Sequence, residues 1–315
     1  MQPVAKPVID ILLATYNGEA FLAEQLDSLL NQTYGDWSLL VRDDGSCDNT
    51  LAVLNSYQSR LAGRMRILPS NGLRLGPGGS FSELLLNAEA EYIMLCDQDD
   101  VWFPDKIERT LAEMRRLESV HGPDSSCLVF SDVAVVDERL RVVAPSGWRS
   151  QKADPVTGTR LSRLVLMNPG NGCTMMVNRA LLAMAAPIPP EALMHDYWLA
   201  LVATAFGHTG VLREPTLYYR QHGRNELGNK RWGRAYISNL LRNVAAARQA
   251  MERHRRQAFV FYERYLDRLR DGDRVALRAY VQLPERAFWR KRFDIIQHRI
   301  FYVGALRNLG WFILV

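Results

Sequence analysis

EYIMLCDQDDVWFPD, residues 91–105, decides how this chain folds and where its chemistry sits. Tyr92–Leu95 is an apolar run of strand length. It stops in three carboxylates, Asp97, Asp99 and Asp100, ahead of the aromatic-proline segment Trp102–Pro104. Carboxylates that follow a buried strand lie at the edge where open α/β sheets bind ligands. Oxygen ligands two residues apart can converge on one hard divalent cation, Mg2+ or Mn2+. Like charges this close repel each other, so a cation accounts for them better than a bare polar loop does.

Two earlier segments repeat the pattern. Ile9–Ala14 is apolar and ends in the turn Thr15-Tyr16-Asn17-Gly18. Glu19–Gln32 then sets Phe21, Leu22, Leu26, Leu29 and Leu30 on one helical face. Ser38–Val41 reads as a strand ending in Arg42-Asp43-Asp44-Gly45-Ser46, and Asp48-Asn49-Thr50 opens a helix over Leu51–Leu61. Strands alternating with helices predict an α/β fold with parallel pairing and one ligand crevice along the strand ends.

Further along, Gly76-Pro77-Gly78-Gly79-Ser80 reads as a glycine-rich loop before a helix over Phe81–Leu86. Leu128–Phe130 is a strand ending at Ser131-Asp132, and Cys173–Val177 is another. Pro187, Pro189 and Pro190 precede a helix over Leu193–Phe206. Val211–Tyr219 is a last strand interrupted by Pro215. Residues 226–315 read as helices with loops near Asp271-Gly272-Asp273 and Pro284. No Gly- or Ser-rich linker separates them, so this tail is expected to pack on the rest.

The 315 residues are 48% hydrophobic and 23% charged, an ordinary globular composition. Cys47, Cys96, Cys127 and Cys173 show no zinc or disulfide spacing, which fits a reducing compartment. No secretion signal is visible, and no run approaches the ~18 apolar residues of a membrane span. A cytoplasmic protein is expected. The net charge of +5 is uneven: from residue 226 onward 19 Lys and Arg face 8 Asp and Glu, and the remainder is acidic. Aromatics such as Trp232, Phe259, Phe288, Trp289 and Trp311 are mixed into this basic tail. That mixture suits helices lying on an anionic membrane surface, or solvated faces around an aromatic core; nucleic acid is the least favoured partner. The terminal segment Phe301–Val315, with the single charge Arg307, is the part expected to lie at such a surface.

The blocks LLATYNGEAFLAEQLDSLLNQTY, VRDDGSCDNT and CDQDDVWFPDKI, in this order and spacing, resemble a family 2 glycosyltransferase of the GT-A fold. The match covers residues 8 to 110, with weaker similarity to about residue 225. The form DQDDVW is similar to bacterial rhamnosyltransferases of surface polysaccharide synthesis. The resemblance implies a Rossmann-like nucleotide-binding half with a mixed central sheet, and a helical extension. It divides the chain into residues 1–225, with a nucleotide-sugar half (1–110) and an acceptor half (111–225), and the tail 226–315. The implied reaction is inverting, metal-dependent transfer of a sugar, L-rhamnose from dTDP-L-rhamnose, to a lipopolysaccharide or other surface glycan at the inner face of the membrane. A UDP-hexose donor is the close alternative. A non-catalytic sugar- or membrane-binding protein on the same fold is the alternative from another class. Nucleotidyl transfer would want basic residues after the first strand, and Thr15–Glu19 has none.

Roles follow from what such a transfer needs. A departing nucleoside diphosphate needs positive charge. Asp99 is the implied direct metal ligand, with Asp97 on the ribose or the cation's water shell. His222, in Tyr218–Gly223, matches a third metal or diphosphate ligand, or is structural. Asp100 either holds a donor-sugar hydroxyl or caps the next segment. Tyr16 is placed to stack on the base, with Thr15 and Asn17 as hydrogen-bonding partners. Either Asp43 or Asp44 accepts from a pyrimidine imide N–H; the resemblance favours Asp44 and leaves Asp43 structural. Arg74 reads as a phosphate contact or part of an ordinary turn. Asp196, in the segment MHDYWLA (194–200), is the implied general base, against a reading as a helix cap. His195 orients it or is a surface residue. Tyr197 and Trp198 line a sugar site or pack in the core. Arg224 before Asn225 departs from the commoner related form.

Overall fold

The structure is a computed structural model that describes residues 9–61, 63–69, 72–156, 160–223, 244–303 and 305–315. Arg224, Asn225, the boundary at residues 225/226 and Trp232 lie outside the described residues.

The N-terminal half alternates as the hydrophobic pattern predicts: β1 (Ile9–Thr15), α1 (Leu22–Leu30), β2 (Trp37–Asp43), α2 (Thr50–Tyr57), β3 (Met65–Ile67), α3 (Gly76–Asn87) and β4 (Tyr92–Cys96). The strands are parallel, in spatial order β3-β2-β1-β4. Their faces are covered on both sides, so β1 and β4 are apolar at nearly every position. Register then places the polar ends. Thr15 pairs with Asp43 and Leu13 with Cys96, so the loops after all three strands leave the sheet at one edge.

The second half adds β5 (Val101–Trp102), α4 (Lys106–His121), β6 (Cys127–Val136), β7 (Val142–Ala144), α5 (Gly147–Gln151), α6 (Leu161–Leu164), β8 (Met176–Asn178), α7 (Arg179–Ala185), α8 (His195–Phe206) and β9 (His208–Arg220). Among the described residues nine strands form one mixed sheet, β3-β2-β1-β4-β8-β6-β9-β5, with β7 on β6. β8 is antiparallel to β4 and β6, while β6 and β9 run parallel.

Several expected boundaries move, each for a local reason. The strand expected to end at Ser131-Asp132 continues to Val136. Ser131 Oγ pairs with Thr216 Oγ1 at 2.7 Å, and Asp132 accepts the backbone N–H groups of Val133 and Trp148, so both polar residues are satisfied inside the sheet. Pro215 does not interrupt the last strand; it sits opposite Asp132 where the register shifts, a place that does not need its missing N–H. Gly76–Ser80 is no loop but the first turn of α3, with Pro77 at its start. Gly172–Thr174 is a short 3-10 turn and not strand, so the strand shrinks to Met176–Asn178. Asp48 caps α2, accepting from the Thr50 N–H at 3.0 Å; the Asn49 side chain makes no cap.

The tail forms α9 (Val244–Tyr265), α10 (Asp271–Val281), α11 (Phe288–Gln297) and α12 (Ala305–Leu314), and Asp271-Gly272-Asp273 opens α10 instead of forming a loop. It packs on α7 and α8. Trp198, fully buried, meets the rings of Phe261 at 5.5 Å and Tyr265 at 6.1 Å and donates its indole N–H to Ala185. Tyr265 donates to the Met184 carbonyl, Gln257 accepts from the Leu193 N–H, and Arg264 donates to the carbonyls of Ala186 and Pro187. The terminal segment is anchored on the rest of the protein at Trp311 and Arg307, while Leu309 is exposed. Trp311 is buried against Tyr280 and Tyr302, and Arg307 donates to the Gln151 carbonyl at 2.6 Å.

Trp198→Ala opens a cavity where α8 meets α9. It should destabilise the protein by about 3–5 kcal/mol, read as a lower midpoint in chemical denaturation. A midpoint equal to wild type would mean that the tail helices do not pack on α8 as described.

Candidate active site

At the ends of β1 and β2 the carboxylates hold backbone. Asp43 accepts the Thr15 hydroxyl at 2.9 Å, the Ser46 hydroxyl at 2.6 Å and the Ser46 N–H at 2.8 Å. Asn17 takes a left-handed conformation (φ 47°), which asparagine tolerates, and its side-chain oxygen accepts the Cys47 N–H at 2.9 Å. Asp44 is buried. Its oxygens accept the Arg42 guanidinium at 2.6 Å and the N–H groups of Leu75 and Gly76 at 2.7 Å. Burial pushes its pKa up, but these donors outweigh that and hold it below the usual carboxylate range. The Asp43–Asp44 pair therefore builds the loop and ties β2 to the start of α3. Arg74 and Tyr16 meet: the guanidinium lies 3.7 Å from the ring centroid. The Tyr16 backbone is bracketed by Gln98, whose amide accepts its N–H and donates to its carbonyl, both at 2.9 Å. Gly18 leaves room for that amide, since a Cβ there would fall 2.2 Å from Gln98 Oε1.

After β4 the acids converge with a cysteine. Among the described residues, ligand atoms of Asp97, Asp100 and Cys173 lie within 4.8 Å of one another. The 3-10 turn at Gly172–Thr174 carries Cys173 to this place. Asp99 stands outside this group and meets His222 Nε2 at 2.7 Å, while the His222 ring stacks on Phe21. So Asp97 belongs to one cluster, and Asp99 with His222 to its neighbour. Asp100 is fully buried. Its Oδ1 accepts the Arg220 N–H at 3.2 Å, and its Oδ2 has no nitrogen or oxygen donor. Burial, then the charges of Asp99 and Asp97, push the Asp100 pKa well up. Asp97 is raised to about 7 by burial and by the charges of Asp99 and Asp196. Cys173 stays a thiol, raised well above its usual range by burial beside the two acids.

α8 brings a further carboxylate beside the turn that carries Cys173: Asp196 lies against Gly172. Asp196 sits in the first turn of α8, and its Oδ1 accepts the Tyr197 N–H at 2.6 Å. Burial raises its pKa to about 6, against the N–H groups of Tyr197 and Gly172. Gly172 passes close: a Cβ there would lie 3.4 Å from Asp196 Oδ2 and 3.2 Å from His195 Nε2. His195 is no surface residue. It is buried, stacked on Phe81 at 3.9 Å with both ring nitrogens unpartnered, and burial drives its pKa down to about 3, so it is neutral. Tyr197 and Trp198 are core residues: the Tyr197 hydroxyl donates to the Leu164 carbonyl at 2.5 Å.

The donor set suits a hard divalent cation: carboxylate oxygens, an imidazole, and a buried carboxyl that a thiol and one backbone N–H serve. Four participants escape a motif reading. Gln98 and Arg220 act through long-range contacts; Arg220, buried, also donates to the carbonyls of Asp99 and Glu138 and pairs with Glu24. Cys173 arrives by a turn read as strand. Lys106, fully buried, points at Thr216 and lies over the Trp102 ring, its pKa lowered to about 8 by burial. Its sequence position carried a signal, because a lysine at the start of a helix opposes the macrodipole and needs another reason to be there.

Residues 10–123 match the protein family described as Glycosyl transferase family 2. The chain is 30% identical over 227 residues to dTDP-rhamnosyl transferase RfbG of Shigella flexneri, covering 69% of this chain and 73% of that protein. It is 30% identical over 180 residues to UDP-Glc:alpha-D-GlcNAc-diphosphoundecaprenol beta-1,3-glucosyltransferase WfgD of Escherichia coli, covering 56% of this chain and 62% of the relative. Among solved structures, S. aureus TarS 1-349 superposes with a TM-score of 0.58 at 18% identity, over 96% of this chain and 77% of that one. Mannosyltransferase PcManGT from Pyrobaculum calidifontis, in complex with GDP-Man and Mn2+, superposes with a TM-score of 0.54 at 15% identity, over 98% and 79%. These superpositions show the fold, which is GT-A with a helical C-terminal part.

The raised pKa of Asp97 has a consequence for stability. Its folded value, about 7, lies above the unfolded 3.8, so the folded protein binds the proton more tightly. Stability is therefore fullest below the unfolded value and is lost as pH rises through about 7, at up to about 1.4 kcal/mol per unit of difference. In metal-free buffer Asp97→Asn should flatten this fall between pH 5 and 7, as read by chemical denaturation at several pH values. An unchanged slope would mean that Asp97 is not desolvated among like charges.

Proposed function

The chain belongs to glycosyltransferase family 2 and is a glycosyltransferase, and from that premise we propose that it transfers L-rhamnose from dTDP-L-rhamnose, with inversion, to a lipopolysaccharide or other cell-surface glycan. One observation carries the mechanism: Asp196, from α8, lies against Gly172, and the next residue, Cys173, lies against Asp97 and Asp100. A proton acceptor and a diphosphate-neutralising centre thus share one crevice. The identity to a dTDP-rhamnosyl transferase supports the donor.

In this reading Asp196 takes the proton of the acceptor hydroxyl. That oxygen forms the new bond to the anomeric carbon, and the bond from that carbon to the diphosphate breaks with the electron pair leaving on the nucleotide. Its pKa of about 6 leaves Asp196 ionised at neutral pH yet basic enough to accept the proton. A divalent cation, Mg2+ or Mn2+, held by Asp99 with Asp97 and His222, would supply positive charge to the leaving diphosphate. Thr15, Tyr16 and Asn17 bind the nucleotide, with the Tyr16 ring against the base. Asp43 and Asp44 shape the loop that receives it, and Arg74, stacked on Tyr16, reaches the phosphates. Asp100 is read as the partner of a donor-sugar hydroxyl. The transferase unit is residues 1–225, with donor binding in 1–110 and acceptor binding in 111–225. The basic tail, 226–315, supports a peripheral position on the inner face of the membrane; among the described residues no helix is long and apolar enough to cross one.

A second donor reading, a UDP-hexose, is supported by the glucosyltransferase at equal identity over a shorter stretch. Slow hydrolysis of dTDP-rhamnose and UDP-glucose, with Mn2+ or with chelator, separates the two. Faster turnover of dTDP-rhamnose is expected; preference for UDP-glucose would replace the first reading, and no hydrolysis or binding of any nucleotide sugar would sink both. Excess chelator and Asp99→Asn should each remove most activity, and full activity under chelator would overturn the cation assignment.

Asp196→Asn should lower turnover by roughly 10²–10⁴-fold with donor affinity little changed. In the wild type, transfer should rise with pH to a plateau above about 6, as Asp196 loses its proton. Near-normal turnover in the variant would return Asp196 to a helix-capping role.

A further inference from the structure

α11 is turned inside out. Successive helical residues are rotated by about 100°, so Phe288, Trp289, Arg292, Phe293 and Ile296 share one arc of about 140°. That arc faces solvent: Phe288, Trp289, Phe293 and Ile296 are 53–80% exposed, with Trp289 the most open. The acidic Asp294 lies on the opposite side and Ile295 at the edge beside Phe288, both buried. A surface helix of a water-soluble protein normally buries its aromatic stripe and shows its charges. Scattered exposed apolar residues need no explanation, but four large ones aligned on one arc do.

The charges around the arc have one sign. Asp294 is the only acid of α11 and is taken up by Arg290 at 3.0 Å and Arg286 at 3.9 Å. Arg290 also lies over the Phe293 ring at 5.2 Å, and Arg292 over Phe288 at 3.7 Å. Arg292 lies within the arc, folded over Phe288 and donating to the Phe312 carbonyl at 2.7 Å, and Arg290 stands beside Phe293 at its edge, with no free carboxylate on the face. An exposed apolar arc that carries arginine and tryptophan and no acid has the chemistry of a helix lying in the headgroup region of an anionic bilayer. Trp favours that depth because its ring is apolar and its N–H polar.

We propose that α11 is the membrane-docking surface, with Trp289, Phe293 and Ile296 inserted among anionic lipids and Arg290, whose side chain is more than half exposed, at the phosphate level. This assigns the contact to α11 and not to Phe301–Val315, whose Trp311 and Arg307 are occupied inside the protein. It deepens the peripheral placement proposed above and is independent of which sugar is moved.

The test uses the full chain with vesicles of phosphatidylethanolamine and phosphatidylglycerol, against vesicles of phosphatidylcholine alone. Wild type should co-sediment with the anionic vesicles, less so as salt rises, and weakly with the neutral ones. The triple variant Trp289→Ser, Phe293→Ser, Ile296→Ser should bind about tenfold less or weaker, while hydrolysing a nucleotide sugar in solution as wild type does. Because these side chains touch little of the protein, folding should survive; Trp289→Ser alone, with a smaller loss, serves if it does not. Equal vesicle binding by wild type and variants, or none by wild type, would overturn the proposal. So would a wild-type dimer that the triple variant dissolves, since the arc would then be covered by a second copy. Loss of nucleotide-sugar hydrolysis with vesicle binding intact would count against the transferase reading alone.

Discussion

The parallel register of β1 with β2 and β4 is the constraint on which the rest depends. Parallel pairing requires each strand to be buried on both faces, so polar residues are excluded from the strand interiors and collect where the strands stop. With Thr15 beside Asp43 and Leu13 beside Cys96, three loops emerge at one edge. A shift of one residue in either pairing would put a carboxylate into the sheet or an apolar side chain into the crevice. The order of motifs along the chain thus becomes an order across the site: Thr15–Gly18 in the middle, Asp43–Ser46 on one side, Asp97–Asp100 on the other.

Crowding carboxylates at that edge is costly, and the protein offsets the cost in two ways. Where a carboxylate serves the backbone, as with Asp43 and Asp44, donors surround it. Where acids converge after β4, the Arg220 N–H meets Asp100, His222 meets Asp99, the Cys173 thiol meets Asp97 and Asp100, and Lys106 lies buried nearby. Two of these carboxyls are still raised by burial and by the charges of their neighbours. That is an environment in which added positive charge is strongly favoured.

The sequence made the first half of the fold legible because its strands are short, wholly apolar and punctuated by turn residues. It misled where polar residues find partners from distant segments. Ser131 and Asp132 looked like a strand end, yet Thr216, Ser146 and Trp148 complete them inside β6. Gly76-Pro77-Gly78-Gly79 looked like a loop because helix propensity is poor there, yet the Asp44 carboxylate holds the backbone at the start of that helix. In the site, the acids and His222 were visible as residue types at strand ends. Their division into an Asp97–Asp100–Cys173 group and an Asp99–His222 pair was not, since it follows from which way each side chain leaves the turn. The burial of His195 was equally hidden, because Phe81 approaches it from more than a hundred residues away.

The double use of α8 bears on how such an enzyme could be divided or recombined. Its first turn presents Asp196, while Trp198, two residues on, is wedged into the rings of α9. Cutting the chain before α9 would remove those rings and bare the Trp198 indole within one turn of Asp196. A minimal version ending there is then a poor reporter of the parent's rate, and exchanging C-terminal segments between relatives requires exchanging α7 and α8 with them. The natural seam for a chimera lies earlier, between β4 and β8, where the two halves of the sheet meet through a short antiparallel pairing.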